Sequence, residues 1–356
     1  MKCLIGVVLA LGMVLVGCSP PASTPIDAGS DAVADASAAD GGPTWDVVLE
    51  HLDGALLSMW GTSKTDVWSV GGPRGNQGFD SLVIHFDGAK WTRLRPGGTE
   101  TFWWVHGSSA NDVWMVGEQG RTTHWDGAAF KELPRITTAT LFGVWSASPT
   151  DAWAVGGTPE GAAGSPNDVL LHWDGTTWSP SPFPQALGRT LFKVWGTSSE
   201  NLYAVGEAGT IWHRVGTTWT LESNPPLAHG TLLTVHGCSA NEVYAVGGRD
   251  VLRSDGKKWS RVDLTLLNDV NGVSCAKPGE AVIVGFGGLK WRLVAGEWVD
   301  DFGTKPYADL HGAWSDPSGA YFGVGGDFIS RSKANASREG IIGRYGRDTV
   351  PSTLMP

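Results

Sequence analysis

Short apolar runs alternate with polar turns along most of this chain, and the pattern recurs. The clearest copy reads LFGVWSASPTDAWAVGG from Leu141, then an insertion, then VLLHWDGTTW ending at Trp178. Its apolar positions predict four short strands, here called a to d, at 141–145, 151–156, 169–173 and 177–180. Asp174-Gly175 between c and d is typical of a tight hairpin. One copy therefore predicts a small four-stranded antiparallel sheet.

The same pattern occurs seven times, and each copy has an anchor in strand a that is usually an aromatic residue or histidine followed by glycine or serine. The anchors are Trp60, His106, Trp145, Trp195, His236, Asn271 (degenerate) and Trp314. They are spaced by 46, 39, 50, 41, 35 and 43 residues, and a period near forty is typical of propeller blades. Sheets that are apolar on both faces need neighbours on both sides. We therefore predict an all-β, seven-bladed β-propeller of four-stranded antiparallel blades over residues 44–346, followed by a tail at 347–356.

The two ends of the repeat array predict how the ring closes. The seventh copy has no fourth strand that carries tryptophan, whereas Thr44–Leu49 precedes the first copy and matches the fourth-strand pattern of Lys90-Trp91-Thr92. We expect this N-terminal strand to complete the last blade, because closure removes an exposed sheet edge.

Residues 1–17 have the form of a signal peptide. Lys2 precedes an apolar run of thirteen residues, Leu4–Val16, which is short for a bilayer span and suits a signal-peptide core. Leu15-Val16-Gly17-Cys18 resembles the bacterial lipobox, and the resemblance implies cleavage before Cys18 and acylation of its thiol. An ordinary secretory leader with an incidental cysteine is the alternative.

The segment after the leader predicts a domain that is anchored to a membrane and separated from it by a tether. Several acyl chains on Cys18 would bind the lipid bilayer stably, and Ser19 is not the aspartate that retains lipoproteins at the inner membrane. The expected location is the outer membrane of a bacterial cell envelope, either periplasmic or surface-exposed. Residues 18–43 are rich in Ala, Asp, Ser and Pro, a composition that predicts a flexible tether.

The amino-acid composition argues against some classes of binding partner. From Thr44 onward the chain has 25 basic and 32 acidic residues, and without a basic stripe it is not expected to bind nucleic acid. The 19 tryptophans recur at fixed positions of strands b and d, so we expect them to fill the wedges between blades. The alternative, that they stack on a cofactor, is not favoured, and no cofactor is assigned.

Two further rows of repeated residues invite a catalytic interpretation. Acids or asparagine open strand b, and histidines recur in strand c; the rows are Asp66, Asp112, Asp151, Asn201, Glu242 and Glu280, and His85, His124, His172 and His213. Equivalent positions in a propeller are spread around a ring, so they cannot converge on one atom or metal ion. We predict that the acids cap turn amides and that the histidines are buried and hydrogen-bonded, with no metal site.

The blades resemble known propeller groups. The order apolar-aromatic-apolar-Gly-Gly, insertion, apolar pair, aromatic, turn, Trp resembles kelch-type blades. Asp-Gly-x-x-Trp at Asp87–Trp91 and Asp174–Trp178 is similar to the Asp-box of sialidase-like propellers, apart from one residue of spacing. Sialidases of that group use an arginine triad and a tyrosine nucleophile, but Pro134-Arg135-Ile136 reverses the expected entry motif. The resemblance implies the fold, and we predict no catalytic residues.

The irregular connections predict the recognition surface. The b–c and d–a connections share one face and vary in length, as recognition loops on a rigid body do. Within strand a, the residue two before the anchor also varies, and Trp104, Lys193 and Asp269 are the candidate ligand-binding members of that row. Simple accommodation between blades is the alternative for this row.

Cys238 and Cys275 remain after Cys3 leaves with the leader and Cys18 is acylated. They follow strand a in neighbouring blades, and an oxidising envelope favours a disulfide between them; two separate buried thiols are the alternative.

Two functions fit the sequence. The first is a membrane-anchored, non-catalytic recognition or scaffold propeller that binds a protein or glycan through its variable loops. The alternative is a carbohydrate-active hydrolase or lyase with a site in the central pocket, which needs convergent carboxylates or an Arg and Tyr set.

Overall fold

The computed structural model describes residues 42–72, 81–159, 161, 164–222, 227–326 and 339–356. They form an all-β, seven-bladed propeller. The leader, Cys18 and most of the predicted tether lie outside the described residues, as do 73–80 and 327–338 of the long b–c connections. No helix in the described part is long and apolar enough to cross a membrane.

The first strand of the described residues is β1 (Thr44–Leu52), and the first three complete blades follow it. Blade 1 contains β2 (Leu56–Ser63), β3 (Asp66–Gly71), β4 (Leu82–Phe86) and β5 (Trp91–Leu94). Blade 2 contains β6 (Phe102–Ser109), β7 (Asp112–Gly117), β8 (Thr122–Trp125) and β9 (Phe130–Glu132). Blade 3 contains β10 (Thr140–Ser148), β11 (Asp151–Gly157), β12 (Val169–Trp173) and β13 (Trp178–Pro180).

The remaining blades continue in chain order. Blade 4 contains β14 (Leu191–Ser198), β15 (Asn201–Gly206), β16 (Ile211–Val215) and β17 (Thr218–Leu221). Blade 5 contains β18 (Thr234–Ser239), β19 (Glu242–Gly247), β20 (Asp250–Ser254) and β21 (Trp259–Arg261). Blade 6 contains β22 (Val270–Lys277), β23 (Glu280–Gly285), β24 (Lys290–Val294) and β25 (Glu297–Asp300). Blade 7 contains β26 (Leu310–Ser315), β27 (Tyr321–Gly326) and β28 (Gly340–Gly346). Three-residue 3-10 turns occupy Glu118–Gly120, Glu207–Gly209 and Phe286–Gly288.

Blade 7 is completed by the N-terminal strand, as predicted. β1 pairs antiparallel with β28, and Trp45 lies opposite Tyr345. The Trp45 indole is buried and donates from Nε1 to Asp301 Oδ2 at 2.8 Å, on the connection that leaves blade 6. The closing strand is therefore fastened to blade 6 as well as to its own blade.

The C-terminal segment, predicted as a tail at 347–356, contains a strand. Leu354–Met355 forms β29, which pairs in parallel with β5 and makes blade 1 five-stranded. Leu354 packs against the apolar cluster that blades 1 and 7 share. The first and the last described strands thus join blades 7 and 1, between which the ring closes.

Aromatic residues fill the gaps between blades, which confirms the wedge prediction. The strand-b ring of one blade meets a strand-c or strand-d ring of the next. Trp114 of blade 2 lies 5.0 Å from Trp173 and 5.1 Å from Trp178 of blade 3, centroid to centroid. The same relation joins Trp68 to Trp125, Trp153 to Trp219, Tyr203 to Trp259 and Tyr244 to Trp298. Rings of this size bury roughly 150–250 Å² each, so these contacts hold neighbouring sheets together.

The connections leave the blades at two faces. The amide of Gly216, in a c–d turn, donates to the carbonyl oxygen of Glu200 in an a–b turn, so these turns share what we call the turn face. The amide of Glu118, in a b–c turn, donates to the carbonyl oxygen of Thr101 in a d–a connection, and these connections form the loop face.

Candidate functional site

The repeated acids and histidines form one small structural unit in each of blades 1 to 4. In blade 2, His124 Nε2 lies 2.7 Å from Asp112 Oδ1, and the imidazole lies against the Trp114 ring at 4.4 Å. Ser146 of blade 3 also donates its hydroxyl to Asp112 Oδ2 at 2.8 Å. Burial would raise the pKa of Asp112, but the hydrogen bonds from His124, Ser108 and Ser146 outweigh it and lower the pKa.

This unit corrects the turn-capping prediction for the acids. In blades 1 to 4 the residue that opens strand b is paired with an imidazole, and the backbone amides of the a–b turn are not its main partners. The corresponding pairs are His85–Asp66, His172–Asp151 and His213–Asn201, at 2.7, 2.9 and 2.8 Å. The histidines are hydrogen-bonded, as predicted, but only His213 is buried; His85, His124 and His172 are half-buried, which corrects the predicted burial. Each pair lies in its own blade, so the pairs form no shared catalytic centre.

The anchor residues of strand a line the central channel and form what we call the channel ring. Its members are Trp60, His106, Trp145, Trp195, His236, Ser274 and Trp314. A Cβ added at Gly107 would come within 2.7 Å of the Trp60 ring, and one at Gly237 within 2.5 Å of the Trp195 ring. The glycine after the anchor, which has no side chain, therefore leaves room for the tryptophan of the preceding blade.

The channel ring leaves little open space. Six of its members, with Met59, Trp104, Val105, Val194, Val235, Val273 and Ala313, line a cavity of about 20 Å³. That volume suits a single particle of about the size of a water molecule. No carboxylate lies among these lining residues, so the described part of the channel cannot place paired acids around a sugar.

Two of the three candidate ligand residues, Trp104 and Lys193, lie together beside the channel. Lys193 reaches past Gly143 of blade 3, donates from Nζ to the carbonyl oxygen of Phe142 at 2.8 Å, and places Nζ 4.2 Å from the Trp104 ring centroid. Burial lowers the pKa of Lys193 to about 7. No salt bridge within the described residues includes Lys193. It is therefore a buried amine with one carbonyl and one aromatic face as partners.

Asp269, the third candidate, lies elsewhere because the predicted register of blade 6 is wrong by three residues. Val270 pairs with Gly285, Gly272 with Val284 and Ser274 with Val282. Gly272 and Ser274 therefore take the positions assigned by sequence to Asp269 and Asn271. Asn271 lies at a bulge and donates to the carbonyl oxygen of Leu310 at 3.1 Å.

Asp269 instead precedes β22 on the loop face, where Arg249 Nε donates to its Oδ1 at 2.8 Å. Its role in ligand binding stays a prediction, now separate from that of Trp104 and Lys193.

The loop face carries an apolar surface that sequence reasoning missed. The Phe286–Gly288 turn of blade 6 lies between two d–a connections: the Phe286 amide donates to the carbonyl oxygen of Asp269, and the Gly287 amide to Asp309 Oδ1. Leu267 and Tyr307 on these connections are 58% and 60% exposed. We call Leu267, Phe286 and Tyr307 the blade-6 sector.

The shifted register explains why this surface was missed. With Asn271 as the predicted anchor, Leu267 takes the position of the core residue Leu141 at the start of strand a. Because the strand begins at Val270 instead, the Leu264–Leu267 run lies in a loop. The sequence signal that could have indicated this surface is the extra apolar residues that precede the weak sixth copy of the repeat.

The two remaining cysteines, Cys238 in β18 and Cys275 in β22, are joined as a disulfide between blades 5 and 6, with Cα atoms 5.1 Å apart. The Glu242 carboxylate lies beside the two sulfur atoms. Its oxygens accept hydrogen bonds from Tyr244 Oη at 2.9 Å and from the Gly279 amide at 3.1 Å. Bonded sulfurs and an occupied carboxylate account for this cluster, and we assign it no metal.

Four c–d hairpins share an aspartate that accepts two backbone amides. Asp174 Oδ1 accepts from Thr176 and Thr177 at 2.8 and 2.9 Å, and Gly175 follows with φ of +92°. The other three hairpins begin at Asp87, Asp126 and Asp255. In all four the backbone hydrogen bonds lower the pKa of the carboxyl group.

These lowered pKa values predict a measurable acid sensitivity. A carboxyl group whose pKa is lower in the folded chain stabilises the fold above its unfolded pKa, and that contribution is lost as pH falls through the folded pKa. We expect the urea midpoint to fall between pH 5 and pH 2. The variant D87N/D126N/D174N/D255N, which keeps the acceptor oxygens, should show a smaller fall. An unchanged fall would show that these turns do not contribute.

Comparisons with known proteins support the fold alone. No protein-family model matches the chain, and no curated protein sequence matches it significantly. Among solved structures, YCF48 bound to D1 peptide has a TM-score of 0.62 at 16% identity, covering 85% of this chain and 96% of its own. Streptogramin B lyase has a TM-score of 0.67 at 13% identity, with 85% and 97% coverage. The WD40 propeller domain of Doa1 has a TM-score of 0.62 at 9% identity, with 85% and 97% coverage.

Proposed function

We propose that this chain is a lipid-anchored, non-catalytic recognition propeller of the bacterial outer membrane that binds a protein segment through its loop face. The observation that carries the proposal is the exposure of Leu267 and Tyr307 on either side of the Phe286 turn. Apolar side chains on connections between the blades, with the Arg249–Asp269 pair beside them, have the composition of a binding surface. A glycan is the other ligand class that a loop face can bind.

The size of the channel disfavours the hydrolase or lyase alternative. A sugar ring cannot enter a cavity of about 20 Å³, since ligand pockets usually measure roughly 300–1,000 Å³. The acids that sequence reasoning considered for such a site are paired within separate blades. A ligand is therefore better accommodated on a face of the propeller.

The structural neighbours are consistent with a protein ligand. One of them, YCF48, was solved with a bound D1 peptide. At 16% identity this likeness concerns the fold, and fold alone does not assign a ligand. The preference for protein over glycan rests on the apolar blade-6 sector.

Anchoring has its own test. In bacterial cells that express the full sequence, we expect incorporation of labelled fatty acid into the protein and recovery in the outer-membrane fraction. Cys18→Ser should abolish both. Acylation of the Cys18→Ser protein, or a soluble wild-type protein, would contradict lipidation.

Recognition is tested with the propeller, residues 42–356, on a displayed peptide library, a glycan array and a glycosidase and lyase screen. For a ligand selected in this way, Leu267→Asp should weaken binding at least tenfold, because it places a charge in the apolar contact. The matched control is Val215→Asp. Val215 is 64% exposed on the turn face, and its replacement should leave affinity unchanged. Equal losses in both variants would exclude the loop face, and turnover in the screen would favour the enzyme alternative.

A further inference from the structure

The two histidines of the channel ring are held in one tautomer. The backbone amide of Ser146 donates to His106 Nδ1 at 3.1 Å, and that of Cys275 donates to His236 Nδ1 at 3.0 Å. A backbone N–H can only donate, so each Nδ1 is an acceptor and carries no proton. Burial lowers the pKa of His106 to about 3 and of His236 to about 4, so both rings are neutral near pH 7. Each ring therefore carries its proton on Nε2.

These two Nε2–H donors belong to the same cavity. His106 lies in blade 2 and His236 in blade 5, three blades apart in a ring of seven, so they approach the axis from nearly opposite sides. Both imidazoles line the cavity of about 20 Å³. Neither Nε2 has a hydrogen-bond acceptor among the residues that the structure describes, and both side chains are half-buried, so these donors are open to a particle in the cavity.

The other residues that line the cavity indicate which kind of particle it can bind. The other lining side chains are apolar or tryptophan, except for Ser274. Ser274 Oγ already accepts from the Ser315 amide at 3.0 Å and shares a hydrogen bond with Ser315 Oγ at 2.7 Å. A water molecule accepts two hydrogen bonds but also needs acceptors for its own hydrogens. This cavity offers donors, so it fits a particle that only accepts.

We propose that the channel centre binds a halide-sized monovalent anion between His106 Nε2–H and His236 Nε2–H. Lys193 supplies positive charge at the channel wall, since its Nζ lies 4.2 Å from the Trp104 ring, which lines the same cavity. The positive edges of the surrounding indoles add to the attraction. The bound anion joins blades 2 and 5 across the axis. This site is distinct from the loop-face surface and does not depend on the recognition function.

Bromide is the probe, used on protein expressed from the full sequence. At equal ionic strength, the unfolding temperature should rise with bromide concentration and respond much less to fluoride. Crystals soaked in bromide should show an anomalous peak between the two Nε2 atoms. The Nε2–H resonances of both histidines should shift as bromide is added, a measurement that needs no variant.

Variants separate this site from general salt effects. His106→Trp and His236→Trp install the residue that four other blades carry at this position, and each should abolish the bromide response. The matched control is His229→Trp; the His229 side chain is 75% exposed on the loop face, and the response should persist. A bromide response that survives in the H106W/H236W double variant, or histidine resonances that do not move, would overturn the proposal. A crystal with water and no anomalous peak at the site would also overturn it.

Discussion

Replacement of Lys193 by methionine is expected to raise the free energy of unfolding at pH 7 by about 1–4 kcal/mol, the range by which well-packed apolar groups stabilise a fold when they replace buried ion pairs. The Lys193 side chain is 7% exposed, and its ammonium has one carbonyl acceptor and the Trp104 ring. Methionine keeps an unbranched chain of similar length in the same space. The gain is measured by urea unfolding in a halide-free buffer.

The same substitution should remove a pH dependence. Burial lowers the pKa of Lys193 to about 7, from 10.5 for a free lysine. Between these values the unfolded chain binds more protons than the folded one, so wild-type stability rises with pH across this window and is lowest below about pH 7. The Lys193→Met variant should be flat where the wild type rises. A variant that is less stable at pH 7, or that keeps the slope, would show that the amine is well solvated in the fold.

Lys290 provides the comparison, because it is equally buried but fully partnered. Its Nζ donates to the carbonyl oxygens of Gly288, Thr304 and Pro306 at 2.6, 2.9 and 2.9 Å. Lys290→Met leaves these three acceptors without a donor, and we expect the free energy of unfolding to fall by about 3 kcal/mol or more, since each unsatisfied buried group costs about 1–3 kcal/mol. If Lys193→Met raises the free energy of unfolding and Lys290→Met lowers it, Lys193 is the buried lysine that does not stabilise the fold.

A buried charge that lowers stability is a sign of function, because strongly shifted ionisable groups cluster at functional sites. The sequence singled out Lys193 and Trp104 for the variability of their row, and the structure brings them into contact. The ligand-binding role that the sequence predicts for Lys193 and Trp104 stays a prediction. Their position beside the channel makes them independent of the blade-6 sector.

Repetition is the reason that most of the fold could be predicted. A pattern that recurs seven times averages out irregularities in any one copy, and the strands of blade 3 begin and end within three residues of the predicted positions. The N-terminal closure followed from counting strands at the two ends. The position of the loop-face residues could not be predicted in this way, because irregular connections have no repeat to align.

Blade 6 shows where periodicity fails. Its copy lacks an aromatic anchor, and the predicted anchor Asn271 places the start of strand a at Leu267, three residues before the observed start at Val270. The prediction aligned the strand by its apolar residues. In the structure the register is set by the pairing of Val270 with Gly285 and by the close approach of blade 7 to Gly272. The partner of the repeated acids was missed for a different reason: a pairing between strands b and c is a contact that sequence spacing does not specify.

Loss of Trp45 is expected to lower the free energy of unfolding by about 3–5 kcal/mol, the usual cost of replacing a buried tryptophan by alanine. The ring is 4% exposed, lies 5.8 Å from the Tyr345 ring, and donates to Asp301. Trp45→Phe is the matched control, because it keeps most of the apolar contact and loses the Nε1 donor. It should cost about 1–2 kcal/mol, as expected for a buried hydrogen bond whose acceptor also pairs with Arg292.

Removal of the whole closing strand should have the larger effect. A protein that begins at Asp53 lacks β1, so β28 becomes an unpaired edge and blade 7 keeps three strands. We expect aggregation or loss of a single cooperative transition, measured by tryptophan fluorescence and light scattering in urea, because exposed edges pair with other chains. A synthetic peptide of residues 42–53 added in trans should restore the transition. If the truncated protein unfolds at the wild-type midpoint, the ring does not depend on this strand.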